Sequence, residues 1–128
     1  MSPEALELRR RIFASFAATG GAPAVSDGPQ LRELVDAHVV VLDDQGRIRM
    51  AHPFAGHRDG ARLDSGAGTW WGNCAWDAVG IAAALGLRDA AVTSNGVTVS
   101  LAGGELRGQA VFHVAVPARR WWQDIADT

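Results

Sequence analysis

The chain has 128 residues, 48% of them hydrophobic, and a formal net charge of −2 at pH 7, which together predict one globular domain, with or without a small N-terminal subdomain. This charge gives no electrostatic reason to expect nucleic acid or a membrane surface as a partner. One cysteine excludes an internal disulfide and suits the cytoplasm, and neither a signal peptide nor an apolar run of membrane-spanning length is found.

The first 52 residues predict two helices followed by a β-hairpin. Ser2 as N-cap and Pro3 at the first helical position begin a helix that ends at Gly20. Its predicted apolar stripe consists of Leu6, Ile12, Phe13 and Phe16. A second helix, capped by Ser26 or Asp27, continues to residue 36. Predicted strands at 39–42 and 47–51 flank a turn at 43–46, which is the order of a shortened winged-helix unit.

The second predicted part, residues 53–128, mixes strands and helices. Residues 53–69 are polar and rich in glycine, and we expect a loop there with one weak strand at 61–63. The clearest helical periodicity spans 73–85. The other predicted elements are strands at 90–93 and 97–101 around an Asn95-Gly96 turn, a strand at 109–116 and a helix at 119–126. We therefore expect an α+β fold in which the N-terminal part packs on a mixed β-sheet with a central helix.

The only cysteine, Cys74, lies at the predicted start of the 73–85 helix. The positive end of the helix dipole should lower the pKa of its thiol. Asp77 follows three residues later, so its carboxyl shares a helix face with the sulfur. A thiolate beside a carboxylate suits the binding of a soft metal or metalloid and the transfer of a proton.

Other thiol chemistries find less support in the sequence. An acyl-transfer nucleophile needs a base, and no spacing places a histidine near Cys74: His52 and His57 are expected in loops. Neither the ligand set of a zinc site nor a CxxC pair is present. The purely structural alternatives are that Cys74 is a buried apolar residue and that Asp77 stabilises the helix start through the helix dipole.

The segment Trp70-Trp71-Gly72-Asn73-Cys74-Ala75-Trp76-Asp77, with the apolar helix that follows, resembles the active-site segment of the organomercurial (alkylmercury) lyase family. In that family a Cys-Ala-hydrophobic-Asp motif opens such a helix. Residues 43–48 resemble its wing, and residues 90–94 and 97–101 resemble the strand pair after the helix. Phe112-His113-Val114, followed by Trp121 or Trp122, resembles its C-terminal strand and helix.

The resemblance implies protonolysis of a carbon–mercury bond, with an organometal or soft metal ion as the partner and no cofactor. It assigns Cys74 as the nucleophile and metal ligand, and Asp77 as the proton relay. The position of the family's second cysteine is occupied by Val111. The expected lining of the substrate pocket is Trp70, Trp71, Trp76, Val111 and His113.

Two alternative functions follow from the same residues. Because Val111 has no thiol, the second hypothesis is a non-catalytic module that binds a metal ion or small ligand on the same fold. The third is a regulator built on the winged part, although the chain lacks a basic recognition helix for DNA.

Overall fold

The computed structural model describes residues 1–108, which form an α+β fold. Its helices are α1 (Pro3–Thr19), α2 (Pro29–Asp36) and α3 (Ala75–Ala84). Its strands are β1 (Val41–Leu42), β2 (Ile48–Ala51), β3 (Phe54–Ala55), β4 (Ala61–Ser65), β5 (Gly68–Gly72), β6 (Ala90–Ser94), β7 (Val97–Ala102) and β8 (Glu105–Arg107).

The eight strands form one sheet in the order β1-β2-β3-β5-β4-β6-β7-β8. Every pairing within residues 1–108 is antiparallel, so the expectation of a mixed sheet was wrong for this part of the chain. Short turns join most of these strands, whereas parallel neighbours require a long crossover connection. The division predicted at residues 52 and 53 stays a prediction; these residues connect β2 to β3.

Helix α1 begins as predicted. The Ser2 hydroxyl accepts a hydrogen bond from the Ala5 backbone N–H at 3.1 Å, and Pro3 opens the helix. The backbone N–H and the hydroxyl of Ser2 also donate to the Glu33 carboxylate, at 2.6 and 2.8 Å, which ties α1 to α2. Leu6, however, is 49% exposed, because Ala5 takes the buried position in the first turn.

Helix α2 begins differently from the prediction. Its N-cap is Gly28, with Pro29 at the first helical position, rather than Ser26 or Asp27. Proline suits this position because the N–H that it lacks would have no partner within the helix.

The predicted loop at 53–69 is mostly sheet. It contains β3, β4 and the start of β5, and only the weak strand at 61–63 was expected. Strand β5, Gly-Thr-Trp-Trp-Gly, has two terminal glycines that favour a turn over a strand by propensity alone. Pairing with β4 along five registered positions, and with β3 at Gly72, stabilises it as a strand instead.

The core lies between the sheet and the helices. Phe16 of α1 stacks on Phe54 of β3, with ring centroids 5.3 Å apart. Trp70 of β5 is also buried, and its indole Nε1 donates to the Ala17 carbonyl of α1 at 3.0 Å. Helix α3 contributes Ile81 and small alanines, which let it pack closely on β4, β5 and β6.

The elements around α3 follow the sequence closely. The helix occupies Ala75–Ala84 within the predicted 73–85, and the β6–β7 hairpin turns at Asn95 and Gly96. Both turn residues have positive φ, 51° and 76°, as this type of two-residue hairpin turn requires. The predicted strand at 109–116 and helix at 119–126, with Val111 and His113, lie outside the described residues. None of the helices within residues 1–108 is long and apolar enough to cross a membrane.

We expect Gly72→Ala to destabilise the fold by about 1–3 kcal/mol, the usual cost of overpacking. A Cβ at Gly72 would lie 2.8 Å from the Ala78 nitrogen and 2.9 Å from the Asp77 Cβ. Urea denaturation measures the change. Gly66→Ala is the matched control, because a Cβ at that position would meet no atom within 4 Å. Equal stability of the two variants would contradict this account of the contact between β5 and α3.

Candidate functional site

The first turn of α3 lies against the connection between β2 and β3. The register that pairs Phe54 with Gly72 brings two distant stretches of chain together. His52 is two residues before Phe54, and Asp77 is five residues after Gly72. The sheet thereby places the His52 Nδ1 atom 3.3 Å from the Asp77 Oδ1 atom.

Asp77 is the only buried charged residue within residues 1–108, with 7% of its surface exposed. The missing side chain of Gly72 lets β5 approach the backbone of α3 at this position. Removal of the carboxyl from water raises the pKa of Asp77, because burial disfavours the charged form. The His52 ring, the Cys74 thiol and the backbone N–H groups of Cys74 and Asn73 each oppose this shift.

Cys74 is the N-cap of α3, with extended backbone angles, and is half-buried. Asp77 follows in the first turn of the helix, and the thiol and the carboxyl each influence the pKa of the other. The two groups predicted to act together are therefore adjacent.

The predicted direction of the pKa shift at Cys74 was wrong. Burial raises the pKa of the thiol above its ordinary value, and the negative charge of the neighbouring Asp77 raises it further. The backbone N–H groups of Asp77 and Trp76 at the helix start lower this pKa, as the dipole argument expects, but burial outweighs them. The thiol is consequently a weaker acid than a free cysteine, and it needs a nearby base to ionise.

His52 was missed as a site residue. It is separated from Asp77 in the chain by a hairpin-like stretch that the sequence predicted as loop, and no local spacing connects the two. Its side chain is 61% exposed, whereas that of Asp77 is 9% exposed, so the pair spans the boundary between solvent and the interior. Only the pairing of β3 with β5 reveals this contact.

A second histidine supports the backbone beside the site. The His57 Nε2 atom lies 3.2 Å from the Asn73 Oδ1 atom, while the His57 Nδ1 atom accepts from the Asp59 N–H at 3.2 Å. Because Nδ1 accepts, Nε2 is the nitrogen that donates to Asn73. The bond fixes the residue just before Cys74 to the loop between β3 and β4.

The three described tryptophans of the predicted pocket do not share one site. Trp70 faces the core and contacts α1, and the alternation of β5 places Trp71 on the opposite face of the sheet. Trp76, in the first turn of α3, is 60% exposed and is the one nearest in sequence to both Cys74 and Asp77. Val111 and His113 lie beyond residue 108.

The residues that the structure describes contain no group of three or more His, Cys, Asp or Glu side chains that could hold a metal ion. Cys74 is the only sulfur nucleophile in the chain. Capture of a soft metal by two sulfurs would therefore need a thiol from another molecule.

Comparisons with protein families, curated proteins and solved structures found no match to this chain. The resemblance to organomercurial lyases accordingly depends on the Cys74–Asp77 segment and its flanking elements.

We expect Asp77→Asn to lower the pKa of Cys74, because the substitution removes a negative charge that disfavours the thiolate. At a fixed, mildly alkaline pH the variant should react severalfold faster with iodoacetamide than the wild type. The pH profile of the alkylation rate measures the shift. Asp44→Asn, in the exposed turn between β1 and β2, is the control and should leave the profile unchanged. A profile that moves to higher pH in Asp77→Asn would contradict the role of the Asp77 charge in raising the pKa of Cys74.

Proposed function

We propose that this protein cleaves carbon–mercury or carbon–metalloid bonds by protonolysis, as an organomercurial lyase-like enzyme of the cytoplasm. The observation that carries the proposal is the placement of the only thiol, Cys74, beside a buried carboxyl, Asp77, in the first turn of α3, where each group shifts the pKa of the other. A soft nucleophile and a carboxyl that can hold a proton are thus neighbours at one helix start. The proposed fold likeness rests on the succession of α1, α2 and the β1–β2 hairpin before this motif.

In the first proposed step, the Cys74 sulfur binds the mercury of a cation R–Hg⁺. The thiol loses its proton to the Asp77 carboxylate as the sulfur–mercury bond forms. The raised pKa of the thiol makes this acceptor necessary, and the raised pKa of Asp77 lets the carboxyl hold the proton.

In the second step, Asp77 delivers the same proton to the carbon atom. The carbon–mercury bond breaks with its electron pair on carbon, R–H leaves, and Hg²⁺ remains on the Cys74 sulfur. Two molecules of an external thiol then remove the metal as a dithiolate, and one of their protons returns to Cys74 while the other is released. The sum is R–Hg⁺ plus two thiols giving R–H, a mercury dithiolate and one proton.

External thiol takes a direct part in this scheme. Two sulfurs bind mercury more strongly than one, because thiolates are the soft ligands that such metals prefer. The chain supplies only Cys74, since Val111 occupies the position of the second family cysteine. We therefore expect turnover to depend steeply on thiol concentration.

The proposal is tested by incubating the protein with an arylmercurial and excess thiol and measuring the released arene. Wild-type protein should release it catalytically, whereas Cys74→Ser should release none, because the variant lacks the soft nucleophile. Asp77→Asn should lose at least about a hundredfold in rate, within the range for loss of a positioned proton donor. The control is Asp44→Asn. Cleavage by Cys74→Ser at the wild-type rate would eliminate the mechanism.

His52 has a distinct part in the proposed reaction. It contacts buried Asp77 from the solvent side, so it connects the carboxyl to water. We expect His52→Gln to slow turnover severalfold, and to shift its pH profile to higher pH, because loss of the His52 ring removes an interaction that lowers the pKa of Asp77.

The measurement for His52→Gln is the pH dependence of kcat. Asp44→Asn, in the exposed turn between β1 and β2, is again the control and should leave the pH profile unchanged. An unchanged pH profile in His52→Gln would remove His52 from the mechanism.

A second candidate function is a non-catalytic module that captures a soft metal ion or organometal on Cys74. The single sulfur and the raised pKa of its thiol favour this function. Both features reduce the rate of bond cleavage more than they reduce the rate of metal capture. Stoichiometric mercury binding without release of the arene would support this binding function over the lyase.

A further inference from the structure

A groove of about 440 Å³ lies on the sheet face opposite the Trp70 side chain, at the end of α1. Its lining includes Arg58, Arg62, Asp64, Thr69 and Trp71. We call it the outer-face groove. Its volume is within the range of small-ligand sites, and neither Cys74 nor Asp77 contributes to it.

Arg58 is a cation positioned beside an aromatic surface. Its guanidinium carbon lies 6.0 Å from the centroid of the half-buried Trp71 ring. Within residues 1–108, no carboxylate is within ion-pairing distance of this guanidinium. Its planar donor fork is therefore available to a ligand carboxylate.

The loop that carries Arg58 is attached at both ends. The Gly56 N–H donates to the Arg49 carbonyl at 2.7 Å, and His57 bonds Asn73. At Gly60, a Cβ would clash with the Gly72 carbonyl oxygen, so the loop backbone packs directly on β5. These contacts fix the backbone that carries Arg58 beside β5 and Trp71.

Arg62 provides a second, oriented cation. It faces Trp71 across the β4–β5 register, and its Nε donates to Asp64 Oδ2 at 2.6 Å. Asp64 is itself held by the Thr69 hydroxyl at 2.9 Å. This chain of bonds engages one edge of the Arg62 guanidinium, and its terminal nitrogens have no partner among the described residues.

The charges of the groove select the kind of anion. Two arginines and one aspartate leave a single net positive charge in its lining. The carbonyl end of α1, next to Thr69 at Gly20, adds partial negative charge and disfavours a dianion. The Trp71 ring offers a flat apolar surface. We propose that the outer-face groove binds a small aromatic monocarboxylate, whose carboxylate pairs with Arg58 and Arg62 while its ring lies against Trp71.

This binding site goes beyond the proposed lyase reaction and is tested apart from it. The probe is 2-naphthoate, titrated at up to millimolar concentration by isothermal calorimetry, with amide and indole NMR shifts to locate it. We expect saturable binding that moves the Trp71 indole resonance. Arg58→Gln and Arg62→Gln should each weaken it about tenfold or more, the usual effect of losing a charge-assisted hydrogen bond. Arg11→Gln, an exposed arginine of α1, is the matched control and should bind as the wild type does.

Two further measurements test whether the ligand's carboxylate is recognised and whether binding is independent of the lyase chemistry. The neutral analogue 2-naphthamide should bind at least about tenfold more weakly than 2-naphthoate. Cys74→Ser should bind 2-naphthoate normally, so failure of the lyase chemistry leaves this result intact. The proposal is overturned by absence of binding at millimolar probe, by equal affinity of the amide, by unchanged affinity in Arg58→Gln, or by tighter binding of inorganic phosphate than of 2-naphthoate.

Discussion

The close approach of β5 to the first turn of α3 is the constraint on which the candidate site depends. Gly72 lacks the side chain that would hold the two backbones apart, and Asp77 is buried as a result. The same residue pairs with Phe54 on one side and Ala61 on the other, so the sheet holds it in place from both directions. Burial of one carboxyl thus follows from backbone packing rather than from any property of Asp77 itself.

That burial determines the chemistry of the neighbouring groups. Burial raises the pKa of both the Asp77 carboxyl and the half-buried Cys74 thiol. The two groups are neighbours in the first turn of α3, while His52 contacts the same carboxyl from the solvent side. This arrangement favours a Cys74 thiol that passes its proton to the carboxylate during the reaction, rather than a thiolate that is already present beforehand. It therefore suits a reaction in which bond formation at sulfur and proton transfer occur together.

Strand β5 serves both faces of the sheet. Because side chains alternate along a strand, Trp70 enters the core beneath α1 while Trp71 forms the floor of the outer-face groove. Two adjacent tryptophans, which the sequence grouped with Cys74 as one pocket, thereby have separate surroundings. The loop that includes His57 and Arg58 connects these regions, since it bonds Asn73 at the start of α3 and also borders the groove.

The sequence by itself determined the features that local chemistry controls. These are the Ser2-Pro3 helix start, the helix after Cys74, the Asn95-Gly96 hairpin and the adjacency of Cys74 and Asp77 on one helical turn. Only the tertiary structure decided the identity of β5 as a strand, the antiparallel pairing, the contact of His52 with Asp77 and the sign of the pKa shift at Cys74. The reason is that strand pairing and desolvation depend on residues far apart in the chain, whereas caps, turns and helical spacing act within a few residues.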